Sequence, residues 1–371
     1  MNIAIFSPSK NPYSETFIQT HKKLLAGDIY YYYGVLPRIN LEDEVSLVSK
    51  WQYLFLRLKR KIYKKSYRFI SEQALIISLK KKKIQVLLIE YGNHAYDLIS
   101  VIKQSKIPCI VHFHGYDASV LKVISRCKGY GEVFEIASKI IVVSNEMKRK
   151  IVELGCEEKK VYYTVCGPQP EFFQVVPKFT KQQFLGIGRF TEKKAQYYTI
   201  LAFKEVVKKY PDARLILGGN GQLLEVCKNL AKYHNIEKQV DFLGVINHDE
   251  FRQLLQESLA FVQHSITALN GDMEGTPVSI MEASIAGLPV ISTIHAGIPD
   301  VILDNVTGLL CEEHDVKTMA NNMLKVLQDF NYARGLGLKG KDHISRYCSL
   351  DKHIKLLNKL VLEAAGDQKT L

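Results

Sequence analysis

The chain reads as an α/β protein built from two doubly wound, Rossmann-like domains facing across a cleft, and three observations predict this. Apolar runs of strand length alternate with helical patterns from one end to the other, the mark of parallel sheets covered by helices. At 371 residues the chain exceeds what one hydrophobic core usually serves. The stretch CGPQPEFFQVVPKF, with three prolines and no periodicity, interrupts the alternation near Pro170. The expected division is therefore residues 1–170 and 171–349, with a final helix in 350–371 packing back on the first domain.

In the first half, strands are expected at Ile3–Phe6, Ile29–Tyr33, Val86–Glu90, Cys109–His114, Lys139–Val143 and Val161–Val165, with helical patterns in most gaps. The second half restarts with strands at Phe184–Ile187, Arg214–Leu217, Val240–Leu243, Leu259–Gln263, Val290–Ser292 and Gly308–Cys311. Its helices are expected at Lys194–Lys209, Gln222–His234, His248–Glu257, Pro277–Ala286 and Val316–Gln328, and the segment Leu350–Ala365 is amphipathic. Doubly wound sheets bind ligands at the carboxyl ends of their strands, so those ends are where site residues are sought.

A hydrophobic content of 47% with 24% charged residues is ordinary for a soluble globular protein. Seven scattered cysteines without a CxxC point to reduced, buried thiols in the cytosol, not to disulfides or a zinc site. The opening MNIAIFSPS reads as a buried strand, not a signal peptide, and no apolar run is long enough to span a bilayer. A cytoplasmic chain is expected. Its net charge of +12 is uneven: eleven Lys or Arg lie between Arg57 and Lys83 against the single acid Glu72.

Gly271–Pro299, GDMEGTPVSIMEASIAGLPVISTIHAGIP, sets Glu274 and Glu282 on either side of Gly275, Thr276 and Pro277. Gly275 admits close backbone approach, Thr276 can cap a helix, and Pro277 suits a first helical position. The helix would aim free amides and its positive end toward Glu274. An anion site flanked by carboxylates suits a ligand that is part phosphate and part polyol, which a nucleotide sugar is.

Other strand ends carry weaker signals. HFHGYDAS offers His112, His114, Gly115 and Asp117; His112 and His114 share one face and serve equally as ligand contacts or as core histidines. No third ligand stands nearby in sequence, which argues against a metal. In GRFTEKKA, Arg189 and Lys194 follow Gly188 and suit a diphosphate, or else open a solvated helix face. Gly218, Gly219 and Gly221 form a phosphate-admitting loop or simply a tight turn. After VDFLG, main chain at Val245 and Ile246 could read a base edge. Ser14 can cap a helix holding Glu15, Thr16 and Phe17, and the absence of G-x-G-x-x-G there counts against a dinucleotide-binding domain.

In the basic block, Leu54, Leu58 and Ile62 recur at helical spacing beside Trp51 and Phe55, among Lys59, Arg60, Lys61, Lys64 and Lys65. This suits an amphipathic helix on an anionic membrane surface, or a solvated surface helix. Nucleic acid is not expected, since no DNA- or RNA-binding motif accompanies the charge.

Taken in order, HFHGYDAS, GRFTEKKA, GGNGQ, VDFLG and EGTPVSIMEASIAGLPVIST resemble glycosyltransferase family 4, the retaining GT-B glycosyltransferases. YSETFI and GDMEG look most like the bacterial exopolysaccharide and colanic-acid-type members. The resemblance implies hexose transfer from a nucleotide diphosphate sugar, UDP-linked, to a lipid-linked or other saccharide acceptor, on the inner face of the cell membrane. By position, Arg189 and Lys194 would hold the diphosphate and Glu274 the donor sugar. Glu282 would bind ribose, His114 would lie near sugar and diphosphate, and Gly275, Thr276 and Pro277 would form the backbone cradle, with Gly188, Gly219, Val245, Ser14 and Glu15 completing donor contacts. No cofactor and no metal is expected. Ala195 stands where the family often has glycine, and Asn11-Pro12 where many members have Gly-Gly. The competing readings are a sugar-nucleotide epimerase or hydrolase of the same architecture, and a catalytically silent partner binding membrane or nucleic acid.

Overall fold

The computed structural model describes residues 1–10 and 16–366, and the chain divides between Thr164 and Val165. One unit comprises Met1–Thr164 with the chain from His353 onward, and the other is Val165–Lys352. The division falls ahead of Pro170, where the prolines suggested it. Pro170–Gln174 is a 3-10 turn within the second unit.

The first unit holds a seven-stranded sheet: β1 (Asn2–Ser7), β2 (Asp28–Val35), β3 (Arg38–Leu41), β4 (Val86–Glu90), β5 (Cys109–His112), β6 (Lys139–Val142) and β7 (Val161–Tyr163). Their order is β3-β2-β1-β4-β5-β6-β7. β4 is buried at every residue and β1 at all but its first, because helices cover both faces of a parallel sheet. β3 was not expected: it pairs antiparallel with β2, Val35 opposite Arg38, so that Leu36-Pro37 make the turn. Four residues beside a proline show no readable alternation, and proline suits a sheet edge.

The second unit is wholly parallel: β8 (Gln183–Ile187), β9 (Arg214–Gly218), β10 (Val240–Gly244), β11 (Ala260–Gln263), β12 (Val290–Thr293) and β13 (Gly308–Cys311), ordered β10-β9-β8-β11-β12-β13. Connections run outward from β8 in one direction and from β11 in the other. The gap between β8 and β11 is thus the topological switch point, and in the first unit the gap between β1 and β4 is its counterpart.

Helix Phe330–Tyr347 was also unexpected, since Gly335, Gly337 and Gly340 argue against a helix. Packing overrides propensity there. A side chain at Gly337 would lie 2.0 Å from the Gly287 carbonyl oxygen, and one at Gly340 2.6 Å from Ser284 Oγ. The glycines let this helix press against helix Val278–Ala286, which they seat from behind.

Three helices of the first unit matter below: α1 (Thr16–Leu24), α2 (Lys50–Ile62) and α3 (Arg68–Lys81). Ser49 caps α2 in a reciprocal box with Gln52. Only Leu56 of α2 is buried, in a small cluster with Ile70 and Ala74 of α3. The final helix, Leu350–Gly366, joins the first unit from His353: Asn358 Oδ1 accepts the Ala26 amide, and Lys139 pairs with Glu363 at 3.2 Å. All seven cysteines are free and buried. Among the described residues no helix is long and apolar enough to cross a membrane.

Candidate functional site

At the second unit's switch point, the loop after β8 and the loop after β11 bring Lys194 and Glu274 together, Nζ to Oε1 3.1 Å, with side-chain exposures of 13% and 8%. Lys194 Nζ also donates to Gln263 Oε1 at the end of β11, 3.3 Å. Burial lowers the Lys194 pKa, opposed by Glu274 and reinforced by Lys193 and Arg189. Burial would raise the Glu274 carboxyl, but Lys194 and then Lys193 more than offset it and hold it below the usual range. Glu274 therefore faces the Lys194 nitrogen as a carboxylate. Lys194 does not open a solvated helix face: it ends a 3-10 turn, and the helix proper is Gln196–Val207.

The Glu274 loop is held by residues that spacing did not single out. The Glu274 amide donates to His295 Nε2 (3.1 Å), and His295 Nδ1 donates to Glu313 Oε1 (2.6 Å). Those partners assign the neutral ring's proton to Nδ1. Glu313 Oε2 in turn accepts the Thr267 amide (2.8 Å), and Lys193 grips Asp272 Oδ1 at 2.9 Å and the Met273 carbonyl at 3.1 Å. His295 and Glu313 lie 21 and 39 residues beyond Glu274, after β12 and β13, so only the sheet order could have suggested them.

Gly275 is buried, and its carbonyl accepts the Gly297 amide (3.0 Å). Thr276 does not cap the following helix. Pro277 occupies the cap in an extended conformation, without a side-chain capping bond, and the helix runs Val278–Ala286. The amides of Val278 and Ser279 precede its first internal bond, Ile280 N to Pro277 O. One turn on, Glu282 is buried with no hydrogen-bond or ion-pair partner among the described residues. Burial, with the nearby charge of Glu171, pushes its carboxyl up to about 8.

Of the remaining expected donor contacts, those of the second unit lie in the loops after β8, β9 and β10. Arg189 is exposed at the end of β8. Gly188 lets the Lys194 chain lie across it, since a Cβ there would stand 3.3 Å from Lys194 Cδ and Cε. Gly219, at φ +133°, would place a Cβ 2.0 Å from the Gly188 carbonyl oxygen, so its glycine serves loop-to-loop packing. Val245 is exposed just beyond β10, where Gly244 accepts the Gly219 amide. Ser14 and Glu15 lie outside the described residues.

The first unit gathers a different cluster at its own switch point. Glu90, at the end of β4 and fully buried, accepts from His21 Nδ1 of α1 at 2.7 Å and from His114 Nε2 at 2.7 Å, and stands 3.3 Å from His112 Nδ1. His21 Nε2 meets His353 Nε2 at 2.8 Å. Burial alone would raise the Glu90 carboxyl, yet the histidines around it hold it well below the usual range. His114 is depressed by burial against the pull of Glu90, and His112 is pushed down to about 3. Asp117 pins the loop by accepting amides of Gly92 (2.7 Å), His114 (3.0 Å) and Gly115 (3.2 Å). Glu90 and His21, both distant in sequence, thus reach His112 and His114 through the fold.

On α2 the apolar stripe faces outward. Trp51 is 81% exposed and Ile62 64%, with Leu54, Phe55 and Leu58 more than half exposed or nearly so. Lys59 lies over the Phe55 ring and Arg60 over Tyr67.

Over 262 residues the chain is 30% identical to the amylovoran biosynthesis glycosyltransferase AmsK of Erwinia amylovora, covering 68% of this chain and 64% of that one. It is 27% identical over 215 residues to the putative colanic acid biosynthesis glycosyltransferase WcaL of Escherichia coli K12, 57% of this chain and 53% of that one. The chain thus spans less than two thirds of the length of these relatives. Residues 168–343 match the family model described as glycosyl transferases group 1. That match falls wholly within the second unit, Val165–Lys352. The crystal structure of Anabaena Alr3699/HepE in complex with UDP superposes with a TM-score of 0.76 over 99% of this chain and 100% of that one. At 14% identity that likeness establishes the fold, GT-B, and nothing finer.

In the second unit, the departure at Ala195 has a structural reading. Ala195 adopts φ 41°, ψ 43°, the left-handed region that glycine enters freely. Its methyl is fully buried, and the burial, about 0.8 kcal/mol, offsets part of a backbone cost of about 1–2 kcal/mol.

Proposed function

We propose that this protein transfers a hexose, with retention of configuration, from a nucleotide diphosphate sugar to a lipid-linked or other saccharide acceptor in bacterial surface polysaccharide synthesis. The observation that carries the reading is the buried Lys194–Glu274 pair beside an open helix amino terminus and the unpaired Glu282. Lys194, Arg189 and the Val278 helix end would offset the charge developing on the departing diphosphate. Glu274 would accept from donor-sugar hydroxyls, and Glu282 from the ribose, with Gly275, Thr276 and Pro277 lining the approach. His114, held neutral, would serve the sugar as a hydrogen-bond partner. The names of AmsK and WcaL support the polysaccharide setting, and the UDP complex of HepE supports UDP as the donor nucleotide. A screen of UDP-, GDP- and ADP-sugars tests the donor. UDP-sugars are expected to bind and to be slowly hydrolysed without acceptor; preference for a GDP- or ADP-sugar would overturn that assignment.

Glu282 gives the binding step a pH signature. Its carboxyl, at about 8 when free, is mostly protonated at pH 7. Ribose hydroxyls donate to the ionised form, so nucleotide binding lowers this pKa and releases a proton. Nucleotide affinity should therefore rise with pH up to about 8 and then level off. Calorimetry in buffers of differing ionisation enthalpy should register the released proton at pH 7, and Glu282→Gln should abolish both effects.

The reading asks for no divalent ion at the diphosphate, because protein cations and amides supply the positive charge. Added Mg²⁺ or Mn²⁺ is expected to leave the transfer rate unchanged. A saturable stimulation of tenfold or more, of the kind a Lewis-acid metal supplies, would reject that part of the mechanism.

We further place the protein on an anionic membrane surface through α2, whose outward stripe and flanking Lys59, Arg60, Lys61, Lys64 and Lys65 match an interfacial helix.

A further inference from the structure

We propose that the first unit binds one divalent transition-metal ion of the zinc class through His21, Glu90 and His112. These residues come from α1 and from the ends of β4 and β5, all three are fully buried, and one donor atom of each lies within 4.8 Å of the others. Two imidazoles and a carboxylate form a donor set that zinc favours, with room for a fourth ligand.

His112 points to a ligand. Neither of its ring nitrogens has a hydrogen-bond partner, although the side chain is wholly buried and its Nδ1 stands 3.3 Å from Glu90 Oε2. A buried imidazole left in that state is costly unless something else engages its nitrogens. The 3.3 Å separation is near the roughly 3.4 Å between donors in a tetrahedral shell with bonds of about 2.1 Å. The closer His21–Glu90 contact, 2.7 Å, would open by less than an ångström to admit an ion.

The surroundings have the form of an outer shell. For His21 Nδ1 to coordinate, its proton must sit on Nε2, and that atom faces His353 Nε2 at 2.8 Å. His353 would then accept there and donate from Nδ1 to Thr164 Oγ1, 3.1 Å away. His114 Nε2 donates to Glu90 Oε2 at 2.7 Å. Partners of this kind fix the tautomer and direction of metal ligands. The site lies within the first unit and is distinct from the donor diphosphate chemistry proposed for the second. Its effect would be to lock α1, β4 and β5 together and to fix Glu90 against His114.

The test uses the full chain without an affinity tag. After stripping with a strong chelator and desalting, Zn²⁺ is titrated against a chromogenic chelator and Co²⁺ is followed by its visible absorption. One tight equivalent is expected, with the intense bands of low-coordinate cobalt and a raised thermal midpoint. His112→Gln and Glu90→Gln should each weaken binding by about 100-fold or more, and His353→Gln, acting through His21, by about tenfold. Failure of the wild-type chain to take up one equivalent overturns the proposal whether or not the variants fold. Unchanged uptake by folded His112→Gln overturns it as well.

Discussion

Lys194→Ala is expected to lower sugar transfer by about a hundred- to a thousandfold, the loss typical of removing one preorganised donor to developing charge. The ammonium is held in place by Glu274 at 3.1 Å and by Gln263 at 3.3 Å, so little reorganisation is needed when a diphosphate departs. The substitution also strips Glu274 of its nearest cation. Breaking a buried pair costs about 3–5 kcal/mol, and with Lys193 still acting on Glu274 the lower end is expected, read by urea denaturation. Glu274→Gln keeps the shape, removes the charge and should slow transfer to a similar extent. Because the two act as a unit, the double variant should be about as slow as either single one. Lys208→Ala, which removes only an exposed pair with Glu205, is the control and should change neither rate nor stability measurably. Transfer at the wild-type rate by folded Lys194→Ala would sink the active-site assignment.

The second large effect concerns the membrane. Trp51 is the sole tryptophan and is 81% exposed on the outward stripe of α2, so the protein's intrinsic emission reports on that helix. Vesicles containing anionic lipid are expected to shift the emission to the blue, whereas zwitterionic vesicles should shift it little. Each cation near an anionic surface contributes about 1 kcal/mol. Replacing Lys59, Arg60, Lys61, Lys64 and Lys65 by Gln should then weaken partitioning by roughly several thousandfold. Raised salt should mimic part of that loss. Unchanged binding of the five-fold variant to anionic vesicles would remove the membrane role from this helix.

Strand positions were legible where burial on both faces leaves an unbroken apolar run: Val86–Glu90 is VLLIE and matches β4 to the residue. β3 and helix Phe330–Tyr347 were not, because a four-residue edge strand has no readable period and three glycines mask a helix that needs two of them, Gly337 and Gly340, for close packing. The same division holds for the candidate sites. Lys194, Glu274 and Glu282 announce themselves through a local pattern of charge and glycine, and the fold sets the first two in contact. His295 and Glu313, which hold the Glu274 amide, and Glu90, His21 and His353, which surround His112 and His114, are far apart in sequence and have no local motif. Their meeting depends on strand order, which parallel pairing across the switch point determines. The cap at Pro277 was misassigned to Thr276 because a Thr-Pro pair satisfies both local rules, and only the extended backbone at Pro277 separates them.

The second unit is inserted within the first, whose sheet comes from residues before Val165 and whose closing helix comes after Lys352. Leu357, Leu360, Val361 and Ala364 are fully buried, and His353 completes the contact with His21. During synthesis the second unit can therefore finish folding while the first still lacks the helix that closes it. A chain truncated after Lys352 should carry a protease-resistant second unit beside a protease-sensitive first one, and restoring the segment from His353 should protect both.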